Sequence, residues 1–237
     1  MTTADSPHRA DGWTAAVRQR LGLGRLLPLG VPSDCSWIAE RAAAAVLRDA
    51  AAGSGAVLGT LRIALAEPDH APEPVVPGPP SALPPGPLRI EAGFSATVRR
   101  PLPATADALR AALLTAAAQR LGLVVDEVDL RVTELLEEEP RPASEPDADV
   151  RAAEPDGAAG TAAAGVPGVA SLTRVLGSPV QQSEGHVRVE LATAEGHRAL
   201  DVARAVRGAV ADAVEGPPTV AVLVTAVVER MPPLTGR

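Results

Sequence analysis

The chain has 237 residues, 46% of them hydrophobic, and a net charge of −7. That is enough apolar material for a buried core in one or two domains. With Trp13, Trp37 and Phe94 its only aromatic residues, Ala, Val and Leu must fill that core. All 22 cations are arginine, and the shared absence of Lys, Asn and Tyr reflects codon usage, not a phosphate-binding surface.

Charge along the chain narrows the function further. Residues 134–156 carry the whole acidic excess, so the remainder is near neutral, which argues against a polyanion-binding surface. Cys35 is the single cysteine, which excludes intramolecular disulfides and thiolate metal clusters. No basic segment followed by an apolar one opens the chain, and the longest strongly apolar run, Thr219 to Val228, is about half a membrane span. A cytoplasmic protein without a transmembrane segment is expected.

Residues 1–32 read as an N-terminal arm. Within it, Trp13, Val17 and Leu21 share one face of a short helix. With Arg18, Arg20 and Arg25 they form an amphipathic stretch suited to a partner groove or an anionic membrane. Packing onto the first unit is the plainer alternative. Ser33, Asp34 or Ser36 can cap a helix that carries Trp37, Ile38, Ala42 and Val46. A strand is expected from Ala56 to Ala66. Nine prolines between Pro68 and Pro87 then predict a loop or polyproline spacer at 67–87.

The clearest strand runs from Leu88 to Val98, apolar at alternate positions and polar between them. The following helix presents Leu109, Leu113 and Ala116 and stops at Gly122; Val128, Leu130 and Val132 mark the returning strand. These elements place a first α+β unit at 33–136. An acidic, Ala- and Pro-rich linker is expected at 137–165. A second unit, at 166–230, has a strand at Val187 to Leu191 and a helix near 198–215. Its last strand, Thr219 to Val228, is apolar on both faces, as a central or covered strand must be. Residues 231–237 form a tail.

The two units are copies. Leu88-Arg89-Ile90-Glu91 recurs as Val187-Arg188-Val189-Glu190, Asp107-Ala108-Leu109-Arg110 as Asp201-Val202-Ala203-Arg204, and Gly122 as Gly216. The fold expected is therefore α+β, with two small sheets, each covered on one face by helices around a duplicated β-α-β core.

Candidate chemistry is thin. Cys35 near a helix start could be an activated thiol, but no histidine is near it in sequence. His186 and His197 bracket one strand without the ligand spacing of a metal site; His8 and His70 fall in expected coil. Gly22, Gly24 and Gly30 match no phosphate loop, and Glu137-Glu138-Glu139 is a solvated charge run. Asp107/Arg110 and Asp201/Arg204 are expected as surface ion pairs. No catalytic residue, cofactor or metal is expected. Leu223, Thr225 and Val227 on the last strand are candidates for self-association.

Gly168-Val169-Ala170, the strand from His186 to Leu191, Ala199-Leu200-Asp201-Val202-Ala203-Arg204 and the Val-rich run 220–228 resemble the bacterial alkaline-shock or envelope-stress-response family. Trp37-Ile38-Ala39-Glu40 and Leu88 to Val132 resemble a further copy. Actinobacterial proteins of similar length are alike in this tandem form. The resemblance implies a non-enzymatic scaffold, a homo-oligomer or a partner of other proteins, gathered beneath the inner face of the membrane through a membrane-anchored relative. A small-ligand sensor or enzyme using the cleft between the units is the first rival. An RNA-binding module is the weakest, since aromatics for base stacking are nearly absent.

Overall fold

The computed structural model describes residues 22–137, 151–183, 185–216 and 219–228. Leu26–Leu29 forms strand β1. Cys35 then takes a left-handed backbone (φ 48°), which separates the preceding turn from strand β2 (Ser36–Ala39), and helix α1 runs from Glu40 to Ala51. Strands β3 (Ala56–Leu65) and β4 (Leu88–Thr97) flank the proline-rich stretch. Helix α2 (Leu102–Ala116), prolonged by a wider turn at Ala117–Leu121, leads to β5 (Val125–Leu136). Next come β6 (Ala152–Ala153), α3 (Gly157–Ala164), β7 (Val169–Thr173) and β8 (Val180–Ser183). The last elements are β9 (His186–Ala194), α4 (Ala199–Ala213) and β10 (Thr219–Val228).

The fold is α+β, and the duplication is visible in its pairing. β4 and β5 are parallel neighbours joined by α2, as β9 and β10 are joined by α4. β3 runs antiparallel to β4, while β7 and β8 together line the equivalent edge of β9. Before them, α1 packs on α2 and β3, and α3 packs on α4 and β7. The repeat is thus longer than the sequence pattern suggests: α-β-β-α-β in the first half, and the same order in the second with its first strand split into β7 and β8.

Helix α3 corrects one expectation: residues 157–164 are not linker but a helix that opens the second unit as α1 opens the first. Its sequence is only Ala, Gly and Thr, so no hydrophobic period announces it. Ala159, Gly160 and Ala163 are buried, so small side chains let it lie close to α4, and tertiary packing carries a helix that could not persist alone.

The halves do not close separately. The larger sheet has the order β1-β2-β10-β9-β7-β6, with β8 also on β9; the smaller is β3-β4-β5. β2 lies parallel to β10, Trp37 opposite Leu223, and antiparallel to β1. Trp37 and Ile38 therefore sit on a strand and not on the expected helix; two sheet neighbours override a sequence that suits either form. Asp34, beside this strand, accepts from Arg204 on α4 through both carboxylate oxygens (2.8 and 3.0 Å) and from the Val31 amide. Burial alone would raise the Asp34 carboxyl, but the hydrogen bond and charge of Arg204 and the Val31 amide hold it below its ordinary value. Arg204 is thus spent between the halves, and its expected partner Asp201 stands 3.8 Å away. Its counterpart Arg110 keeps the local pair with Asp107 at 3.0 Å. Gly122 (φ 92°) packs against Leu200 of α4, which fills the space a Cβ would need; among the described residues nothing lies within 4 Å of that position at Gly216. One apolar core runs through both halves.

The proline-rich segment is no spacer. It folds back over Trp37, whose indole Nε1 donates to the Leu83 carbonyl (3.1 Å), while the Leu83 amide donates to the Leu26 carbonyl (2.9 Å). Gly78 lies against the indole ring, and Val76 is buried. Prolines suit such a strap, since a chain that makes few ladder bonds loses little by lacking donors. Trp37→Ala is expected to cost about 3–5 kcal/mol in urea unfolding and to expose residues 67–87 to limited proteolysis.

Candidate interaction surface

Of the expected docking residues, Trp13, Val17, Arg18, Arg20 and Leu21 lie outside the described residues. Arg25 is turned into the fold. Its guanidinium binds both oxygens of Glu40 at the start of α1 (2.9 and 3.2 Å) and donates to the Ile63 carbonyl of β3 (2.6 Å). Burial works to raise the Glu40 carboxyl, but Arg25 and the amides of Ile63 and Arg25 lower it. The stretch that follows, Leu26–Leu29, is buried sheet, not part of a free arm. Leu223 and Thr225 are also buried, on a strand flanked by β2 and β9. The Thr225 hydroxyl bonds the Leu191 carbonyl (3.1 Å) and Thr173 Oγ1 (2.9 Å), and Val227 is half-buried.

The candidate chemical residues stand apart. Cys35 is buried, its thiol donating weakly toward the Ser33 carbonyl (3.5 Å), and burial pushes that thiol up despite Arg207 nearby. His186 Nδ1 shares a hydrogen bond with Thr219 Oγ1 (2.8 Å); burial, then Arg188, lower its affinity for a proton. His197 packs beside Gly168, and exposed His70 faces Glu67 at 3.6 Å. Gly24 and Gly30 have positive φ, Gly30 donating its amide to the Gly122 carbonyl. Glu137 is exposed, whereas Glu138, Glu139 and His8 lie outside the described residues. Among the described residues no three His, Cys, Asp or Glu groups converge to hold a metal, and no helix is long and apolar enough to cross a membrane. A groove between the halves, of about 410 Å³, is bridged by Arg120, which pairs with Asp49 (2.6 Å) and Glu195 (2.8 Å).

The repeat itself exposes the informative contrast. Arg188 and Glu190 on β9 correspond to Arg89 and Glu91 on β4. In the second copy Glu190 is fully buried, accepting the Val175 and Leu176 amides (2.8 and 3.0 Å) and Arg188 (3.2 Å). The 174–179 segment closes over it, and the register sets Glu190 beside Leu223 and Leu223 beside the strapped Trp37. In the first copy nothing among the described residues covers the same face. Thr60, Arg62, Arg89, Glu91, Asp129 and Arg131 line an open depression of about 740 Å³. There Arg89 pairs with Asp129 (2.8 Å) and, more loosely, with Glu91 and Glu127 (3.5 Å each).

The sheet edge shows the same contrast. β10 has β2 on its outer side, but β5, twelve residues long, has no strand beyond it among the described residues. Val132 and Leu135 on β5 are 40% and 53% exposed, whereas Val220, Val222 and Val224 on β10 are at most 4% exposed. Sequence reasoning placed Val128, Leu130 and Val132 on a strand without seeing it as an edge. The available signal was the polar alternation of Val125–Leu136 against the two-faced apolar Thr219–Val228. No family model matches the chain, and neither a curated protein nor a solved structure does.

The buried Glu190 gives a test. Burial raises the Glu190 carboxyl above its ordinary value against the pull of the Leu176 and Val175 amides and Arg188. A raised carboxyl in the folded state favours folding below its unfolded value, and that advantage is lost as pH climbs through the folded value. As pH rises through the acid range, Glu190→Gln should therefore gain stability relative to the parent. Urea midpoints across that range check this.

Proposed function

We propose that the chain is a non-enzymatic interaction protein, a scaffold that presents the outer face and free edge of its three-stranded sheet to another protein. One observation carries this reading. The same unit occurs twice, and among the described residues edge and face are covered in one copy and open in the other. A twelve-residue strand with no strand beyond it among the described residues, and with exposed Val132 and Leu135, is a ready template for strand addition. A photo-reactive residue at exposed Thr133 on β5 should cross-link to protein in living cells, while the same residue at exposed Asp212 on α4 should not. Silence at Thr133 in a folded chain would overturn the reading.

The similarity to envelope-stress proteins supports a place in the cytoplasm beneath the membrane as part of the same proposal. Recruitment through Trp13, Val17 and Leu21 then predicts that the full chain pellets with membranes and a version lacking residues 1–21 does not. The cut falls before residue 22 because Leu23 and Leu26–Leu29 are part of the core. Equal behaviour of the two would remove the membrane from the proposal.

A further inference from the structure

We propose that the free edge of β5 takes a basic, extended segment of another protein, laid parallel to β5 with a cation beside Asp129. The proposal rests on the interaction reading above and names the partner's chemistry and direction.

The second copy already holds a strand in that place. β2 runs parallel to β10, with Ser36 beside Val222, Trp37 beside Leu223 and Ile38 beside Val224. The Val222 amide donates to the Cys35 carbonyl (3.1 Å). The repeat carries this register across. Val222 pairs with Val189 on β9 as Val128 pairs with Ile90 on β4, and Leu223 stands beside Glu190 as Asp129 stands beside Glu91. Val128, Asp129 and Leu130 thus hold the places of Val222, Leu223 and Val224. The outer two stay apolar, and the middle one is an aspartate where the second copy has leucine. A strand added to β5 in the manner of β2 would set an apolar side chain beside Leu130, as Ile38 stands beside Val224. At the position of Trp37 it would meet a carboxylate.

Charge decides what stands there. Over Val125–Leu136, β5 carries Asp126, Glu127, Asp129 and Glu134 against Arg131 alone. Arg89 is shared by Asp129 (2.8 Å), Glu91 and Glu127 (3.5 Å each), so three carboxylates draw on one guanidinium. Glu127 and Asp129 are 57% and 62% exposed, and the pleat sets both on the outer face of the sheet. A segment with cations two residues apart complements them, whereas an acidic one is repelled. Exposed Arg131, next on that face, takes an acid. The complement of Glu127 to Val132, read in the direction of β5, is therefore basic, apolar, basic, apolar, acidic, apolar. The reverse order would suit only an antiparallel strand. β5 carries neither proline nor lysine, the residues that commonly block strand addition.

The experiment titrates the full chain into a fluorescent peptide containing Arg-Val-Arg-Ile-Glu-Val and follows anisotropy at low salt. This peptide should bind about tenfold tighter than the form with both arginines changed to glutamate, and tighter than its own reversed sequence. Glu127→Arg combined with Asp129→Arg should lose the arginine peptide and gain the glutamate one. A chain merely loosened by the substitutions would not show that exchange, and both positions are exposed. Equal binding of the arginine and glutamate peptides overturns the proposal, as does tighter binding of the reversed sequence. Binding seen only in a version lacking residues 1–21 would give the edge to the chain's own Arg18 and Arg20. A Thr133 cross-link to a second copy would give it to that copy, and either result overturns the proposal. If the Thr133 probe captures a different protein while the arginine peptide fails to bind, the interaction reading survives this failure; if it captures nothing, both fall.

Discussion

Four residues of β2 hold the molecule to one arrangement. Ser36–Ala39 belongs by sequence to the first half, yet it is hydrogen-bonded into the sheet of the second, between β1 and β10. From that placement follow the contacts that join the halves. Asp34 comes within reach of Arg204, and Ser33 receives Arg207. The chain entering α1 from β2 is pinned at Glu40 by Arg25, which fixes where β3 starts its own sheet. A charge-assisted pair such as Asp34 with Arg204 adds orientation more than energy. The burial of Trp37, Ile38 and Leu223 supplies the larger share.

Duplication makes the molecule its own control. Two copies with the same helix, strand and Arg-x-Glu pattern meet different surroundings, and each difference has a local cause. Where a loop and strap cover the sheet, Glu190 gathers backbone amides to offset its lost hydration. Where water covers it, Glu91 stays half-exposed in a loose cluster around Arg89. Where α4 faces the other half, Leu200 wedges against Gly122; among the described residues nothing wedges against Gly216. The open copy is the simplest place to look for contacts made outside the chain.

Legibility followed periodicity. β4 and β10 were readable because the period of two was strict in one and absent in the other, and a two-faced apolar strand has to be central. The end of α2 was readable at Gly122, whose positive φ no other residue adopts so cheaply. α3 was not, because eight small residues carry no period and its helix depends on α4. β2 was not, because Trp37, Ile38 and Ala42 also satisfy a helical spacing and only the distant β10 decides between the two. The prolines announced an irregular path but not its destination over Trp37. The open edge was half legible: alternation marked β5 as wet on one face, while the absence of a neighbour is a property of topology.

The pairing of β2 with β10 also sets the order in which this molecule can come into being. Ser36 meets Val222 near the far end of the described chain. During synthesis β2 must therefore wait, with both Trp37 and one backbone edge without their final cover, until the chain has grown past Val224. Contacts of such long sequence separation are slow to form because a large loop must close first. The smaller sheet, whose strands all lie between Ala56 and Leu136, can assemble in the meantime. Completion of the larger one is a late event, and a chain interrupted before β10 would carry an unfinished apolar sheet.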